Sequence, residues 1–199
     1  GLLAGEKLLA DLHAMEVAYL ENDRNELEIT RPVSLKEIVV GTELDTSGNK
    51  IDLTALESLI VGFQLNKDSL RKCGFCEFDL KRTLFSNDFV QKHKFERIRD
   101  IRLKIICSQN VQLNAELIMK SNTLVVDDKI SIVNRIGIQN MATSTAISDC
   151  GKFQFNFKSD KFSPFEGAGL ESAWKLYVTA PQDFDPVTIS DVIVYVSYT

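Results

Sequence analysis

Cys73 and Cys76 stand three residues apart, which is the spacing of half a zinc site. The other half is missing. Cys107 and Cys150 are isolated, and the two histidines, His13 and His93, lie far away along the chain. Cys76 also fits the inward face of a strand, so no metal is expected. Four cysteines in a chain of 199 residues do not by themselves imply a disulfide framework, and nothing in the spacing supports a Cys73–Cys76 or Cys107–Cys150 bridge. A catalytic histidine needs a nucleophile or an orienting carboxylate beside it. His93 lies between Lys92 and Lys94 and reads as a solvated loop residue, and no Gly-x-Ser-x-Gly elbow occurs. Asp127-Asp128 and Asp183/Asp185 fall in turn-like stretches without distinctive spacing. No catalytic residue and no cofactor are expected.

Two segments have the chemistry of binding instead. Lys92, Lys94, Arg97, Arg99, Arg102 and Lys104 form a basic run. It can face an anion or a carbohydrate, but the commoner role of such a run is the wet face of a strand, where it also discourages edge-to-edge aggregation. The second segment is Phe162-Ser163-Pro164-Phe165-Glu166-Gly167-Ala168-Gly169. Its glycines suit positive φ or close backbone approach. No Lys-Ser/Thr and helix follow, so it is not a phosphate cradle. It reads as a packed connection between strands, or as an exposed partner-binding loop. Partner contacts are expected at Phe165, Glu166 and Gly167 and at Lys92, His93 and Lys94.

The elements that must position these groups divide at about residue 31. Leu8, Leu12, Met15 and Tyr19 follow helical spacing, widened by Leu9 and Leu20, and predict a helix over residues 2–22. The charged stretch after it ends at Pro32, which blocks helix continuation. Residues 41–50 are rich in turn formers and read as a loop. Asp52 is placed to cap a short helix through Val61. From residue 75 the period changes to two. Cys76, Phe78 and Leu80 alternate with acids; Ile101, Leu103, Ile105 and Cys107 alternate mainly with basic residues. The same pattern recurs at Val111–Met119, Phe153–Phe157, Trp174–Val178 and Val192–Tyr198. Strict alternation means one face inward and one wet. The expected fold is mainly β: an antiparallel β-sandwich over 32–199, preceded by an N-terminal amphipathic helix in 1–31.

Composition narrows the partner. Hydrophobic residues make up 44% and charged residues 26%, ordinary for a globular chain. A net charge of −5 argues against nucleic acid, whose phosphates call for a basic footprint. No apolar run approaches the roughly 18 residues that cross a membrane. The N-terminus does not read as a signal peptide, and the chain reads as a piece of something longer.

The order of short motifs carries a resemblance. Gly1-Leu2-Leu3-Ala4-Gly5-Glu6-Lys7-Leu8-Leu9-Ala10-Asp11-Leu12, Met15-Glu16, Ala18-Tyr19-Leu20-Glu21, Arg24-Asn25-Glu26-Leu27-Glu28-Ile29-Thr30 and Val33-Ser34-Leu35 closely resemble the Tc toxin A family. So do Cys76-Glu77-Phe78, Leu84-Phe85, Arg97-Ile98-Arg99-Asp100-Ile101, Pro164-Phe165-Glu166-Gly167-Ala168-Gly169, Trp174 and the closing Thr188-Ile189-Ser190-Asp191-Val192-Ile193 and Tyr198-Thr199. The matches keep the family's order over nearly the whole chain. Val90-Gln91-Lys92-His93-Lys94-Phe95 replaces the family's Pro-Gly-His-Tyr loop, and residues 41–66 and 120–135 match poorly. The resemblance implies a secreted bacterial toxin subunit whose C-terminal domain holds the B component. That component's β-propeller closes a cocoon around toxic cargo. The resemblance further implies a homopentamer, with the membrane reached only through a channel region outside this chain. The implied role is non-enzymatic protein binding; a stand-alone carbohydrate-binding sandwich, with Phe165, Tyr177 or Tyr195 stacking on sugars, is the rival.

Overall fold

The computed structural model describes residues 2–21, 28–66, 70–88, 96–126, 129–134, 141–157 and 164–199. Its first element is the expected helix, α1, over Leu2–Glu21. Leu8, Leu9 and Leu12 on α1 are exposed at 60%, 69% and 53%. No helix among the described residues is long and apolar enough to cross a membrane.

The rest is mainly β. One sheet has the order β1-β11-β5-β9, formed by Ile29–Ser34, Ile189–Tyr198, Ile98–Cys107 and Lys152–Asn156. The other runs β4-β10-β6-β7, formed by Lys72–Leu80, Ser172–Ala180, Gln112–Val126 and Lys129–Asn134, with β8 (Met141–Ile147) also on β6. The ladders within both sheets are antiparallel. Alternation does what the pattern requires. On β10, Ser172, Trp174, Leu176, Val178 and Ala180 are buried while the residues between them are half-buried. The inward rows of the two sheets share one core, with Leu103, Ile105, Phe153, Phe155, Val192 and Val194 from one and Phe78, Leu117, Met119, Trp174 and Leu176 from the other. Pro32 sits within β1, at the edge of its sheet opposite Tyr195. An edge strand tolerates a residue without an N–H because that side needs no ladder bond.

Two local expectations change. Residues 41–50 are not a plain loop: Val39–Leu44 (β2) and Lys50–Thr54 (β3) pair as a hairpin. The turn formers close it, for the Asp45 carboxylate accepts from the backbone N–H of Ser47 at 2.9 Å and of Asn49 at 2.8 Å, and Gly48 takes φ +80°. The following helix, α2, spans Ala55–Leu65 and is capped by Thr54, not Asp52. Thr54 Oγ1 accepts from Glu57 N–H at 3.3 Å, while Asp52 lies within β3.

α2 buries Ala55, Leu56, Leu59, Gly62 and Phe63 and packs beside β4. Glycines make this approach close. A Cβ on Gly62 would lie 2.8 Å from both the backbone N and O of Phe75, and one on Gly74 would run into the Phe63 ring. Phe63 then meets Phe184 edge-on, with ring centroids 5.3 Å apart.

Candidate docking surfaces

The Pro164–Leu170 connection ties the two sheets together. Gly167 N–H donates to Ile98 O and Ile98 N–H to Ala168 O, both at 2.8 Å, which fixes it to the start of β5. Gly169 N–H donates to Asn122 Oδ1 at 2.8 Å, which fixes it to β6 in the other sheet. A Cβ on Gly169 would collide with the Thr123 carbonyl oxygen, so only glycine fits. Phe165 is buried at 2% exposure and stacks edge-on against Trp174 at 4.8 Å. Trp174 Nε1 donates to Ser172 Oγ at 2.6 Å, and Ser172 Oγ donates to Leu170 O at 3.0 Å. An indole N–H buried in a core needs such a partner.

The expected contact residues therefore separate. Phe165 is a core residue, a correction that follows from its strong apolar burial against Trp174. Glu166 and Gly167 are exposed, and Gly167 has φ +80°. Lys92, His93 and Lys94 lie outside the described residues. Three of the described members of the basic run are tied to neighbouring groups. Arg97 donates to Gly167 O at 3.0 Å, Arg99 reaches Glu166 at 3.4 Å, and Arg102 lies 3.8 Å from Asp100. His13 lies on the exposed face of α1.

The aromatic rings proposed for sugar stacking are also engaged. Besides the buried Phe165, Tyr177 carries the Lys175 ammonium 5.1 Å from its centroid, and Arg102 sits 5.9 Å over Tyr195. Hydrogen bonding with Tyr177 pushes the Lys175 pKa up, against a smaller opposing effect of burial. Arg102, Lys104, Gln154, Asn156 and Tyr195 line a shallow cup of about 210 Å³ on the outer face of the β1-β11-β5-β9 sheet.

The cysteines are free thiols. Cys73 and Cys76 are an odd number of residues apart on β4, so their side chains take opposite faces, with Cys76 buried. Burial, and to a lesser degree the charge of Glu77, pushes the Cys76 pKa up to about 12. Cys107 Sγ lies 3.1 Å from Thr188 Oγ1. Among the described residues, no group of three or more His, Cys, Asp or Glu is placed to hold a metal ion.

The larger concavity is a cleft of about 650 Å³ beside β4. Glu77, Phe78 and Asp79 form one wall, Glu37 to Val40 the other, and Lys81, Thr83, Leu84, Lys120 and Trp174 complete it. Sequence reasoning missed it. Its walls are brought together by strand order, and no local pattern marks β4 as the edge.

The family model of the Tc toxin complex TcA C-terminal TcB-binding domain matches residues 1–199. This chain belongs to that family. The TcB-binding domain is a protein-binding module of a toxin A subunit, in agreement with the fold and the motif order. This one is 27% identical over 219 residues to toxin subunit YenA2 of Yersinia entomophaga, a match that covers 100% of this chain and 14% of that protein. Among solved structures, the CBM22-1–GH10 modules of Clostridium thermocellum xylanase 10B overlap with a TM-score of 0.22 at 12% identity, over 85% of this chain and 24% of theirs. A marine algae virus of the order Picornavirales overlaps with a TM-score of 0.24 at 8% identity, over 86% of this chain and 68% of its own. Neither overlap is close enough to bear on fold or function.

Proposed function

We propose that this domain holds the B component of a bacterial Tc toxin, and through it the B–C cocoon, at the mouth of a pentameric channel built by the full A subunit. The observation that carries the reading is the match of the TcB-binding family to the whole chain, residues 1–199. An antiparallel sandwich whose two sheets share one core suits a domain that presents a fixed surface to a protein partner. The exposed Leu8, Leu9 and Leu12 of α1 suit a helix that completes its packing against other parts or copies of the A subunit. In this reading Glu166, Gly167 and the Lys92-His93-Lys94 segment belong to the contact surface, with Phe165 supporting it from beneath. Residues 1–31 act as the join to the channel and 32–199 as the binding domain. The protein is a secreted toxin subunit.

The test is a titration of the cognate B–C cocoon with the full-length A subunit and with a form lacking residues 75–199. Loss of binding in the truncated form is expected. Equal affinity of the two would remove the docking role from this domain.

A further inference from the structure

Among the described residues, β4 ends its sheet and has β10 as its one strand neighbour. Its register against β10 is unbroken from Lys72–Ala180 to Leu80–Ser172. In such a ladder, successive residues direct their peptide groups to opposite sides. Asn66, at the end of α2, donates through Nδ2 to Cys73 O at 3.1 Å, and Gly62 of α2 lies against the N and O of Phe75, so the peptide groups of Cys73 and Phe75 face α2 and not β10. Glu77 and Asp79 lie two and four residues further on, so their N–H and C=O groups face the same way, away from β10. α2 covers that edge at Phe75, and beyond it the edge opens into the 650 Å³ cleft. Among the described residues, no backbone hydrogen bond reaches the Glu77 or Asp79 main chain from that side. Buried edges are normally paired or covered, and an open one is a template for another strand.

The walls define what fits. Ile38, Val39, Val40 and Leu84 offer apolar surface, and Val39 is 53% exposed. The charged wall is unevenly balanced. Glu77 is paired with Lys120 at 3.0 Å and approached by Lys175 at 3.8 Å. Glu37, Asp79 and Lys81 make no ion pair among the described residues, which leaves two acids against one base on the cleft wall. A strand laid along β4 would present alternate side chains to these two surfaces.

We propose that the cleft is a strand-addition site, in which an extended segment of the B component pairs with the free edge of β4 at Glu77 and Asp79. The segment alternates apolar residues, directed at Ile38, Val39 and Leu84, with basic residues, directed at Glu37 and Asp79. The main-chain bonds supply attachment and the alternating side chains supply selectivity, as in other sheet-edge recognition. The proposal rests on the docking role given above and names its site.

Amide-resolved hydrogen exchange on the full-length A subunit, with and without the B–C cocoon, tests it directly. The Glu77 and Asp79 amides should exchange readily in the free protein and slow by about 100-fold in the complex. The Phe78 amide, already bonded to β10, should change little. Two variants add an independent readout. Glu77→Pro removes an edge donor without touching the β10 ladder, and Asp79→Lys replaces an attracting charge with a repelling one. Each should weaken cocoon binding by about tenfold or more, with the unfolding midpoint near that of the parent. A complex that forms without protection at Glu77 and Asp79 overturns the strand-addition site and leaves the docking role standing, whatever the variants do. No complex with the parent protein overturns the docking role and the site with it.

Discussion

The Pro164–Leu170 connection and the edge of β4 lie on two sides of Trp174, and they treat their backbone in opposite ways. The connection uses its glycines to bring peptide groups within bonding distance of both sheets, at Ile98 and at Asn122. Its large apolar side chains, Phe165 and Leu170, go into the core. The β4 edge is an ordinary alternating strand whose inward row is buried from Gly74 to Leu80, yet beyond α2 it leaves peptide groups open to the cleft. An unusual composition thus marks a place where the fold is fastened, and a plain one marks where it is unfinished. Backbone bonding capacity, which no side-chain pattern encodes, separates the two.

The sharpest way to break the comparison is to remove the fastening. Phe165→Ala takes a ring out of contact with Trp174 and should cost about 3–5 kcal/mol. Gly169→Ala forces a Cβ onto the Thr123 carbonyl and should cost about 3 kcal/mol. Both are read from urea unfolding midpoints at constant m-value, and losses below about 1 kcal/mol would mean the connection is not structural. On the β4 side the expected effects are smaller. Thr54→Ala removes the cap of α2 and should cost about 1 kcal/mol, with faster exchange at the Phe75 amide that α2 shields. Unchanged exchange there would separate α2 from the protection of the edge. At the exposed tip, Glu166→Gln loses a long, solvent-screened contact with Arg99 and should change stability by less than about 0.5 kcal/mol. A larger loss would make the tip part of the fastening.

Cys76 gives the inward row of β4 a pH signature. Its thiol pKa is about 12 in the folded chain, well above the roughly 8.5 of an exposed thiol. The folded state therefore holds this proton more tightly than the unfolded state does. That contribution to stability is complete below about pH 8.5 and is lost as pH rises toward 12. Measured from neutral pH to pH 10, the parent should lose more stability than Cys76→Ala. At pH 8 a thiol reagent should label the exposed Cys150 quickly and Cys76 only on unfolding. Equal labelling rates would contradict the burial.

The strands beginning near residues 75, 100, 112, 152, 174 and 190 were legible because each alternates apolar and polar residues over a long enough run for its inward face to be named. β1, β2, β3, β7 and β8 were not read as strands. β2 and β3 carry turn formers between them and leave Val39, Leu44 and Ile51 exposed, so the usual apolar row is missing. Thr54 and Asp52 are both good helix caps, and only the extent of the β2–β3 pairing assigns the role to Thr54. At the connection, the residue types were conspicuous but their direction was not: the same Phe-Glu-Gly order serves a buried anchor or an exposed tip.

What the amino-acid order decided alone was the class of the fold, the inward row of each long strand, the presence of the first helix and, through the succession of short motifs, membership of the TcB-binding family. Those properties depend on local periodicity and on residue identity, which the chain carries without folding. Tertiary structure alone decided that Phe165 lies inside, that β4 is an edge and that Glu77 and Asp79 face a cleft. Each depends on which strand lies beside which, and that is set by contacts between residues as far apart as Lys72 and Ala180.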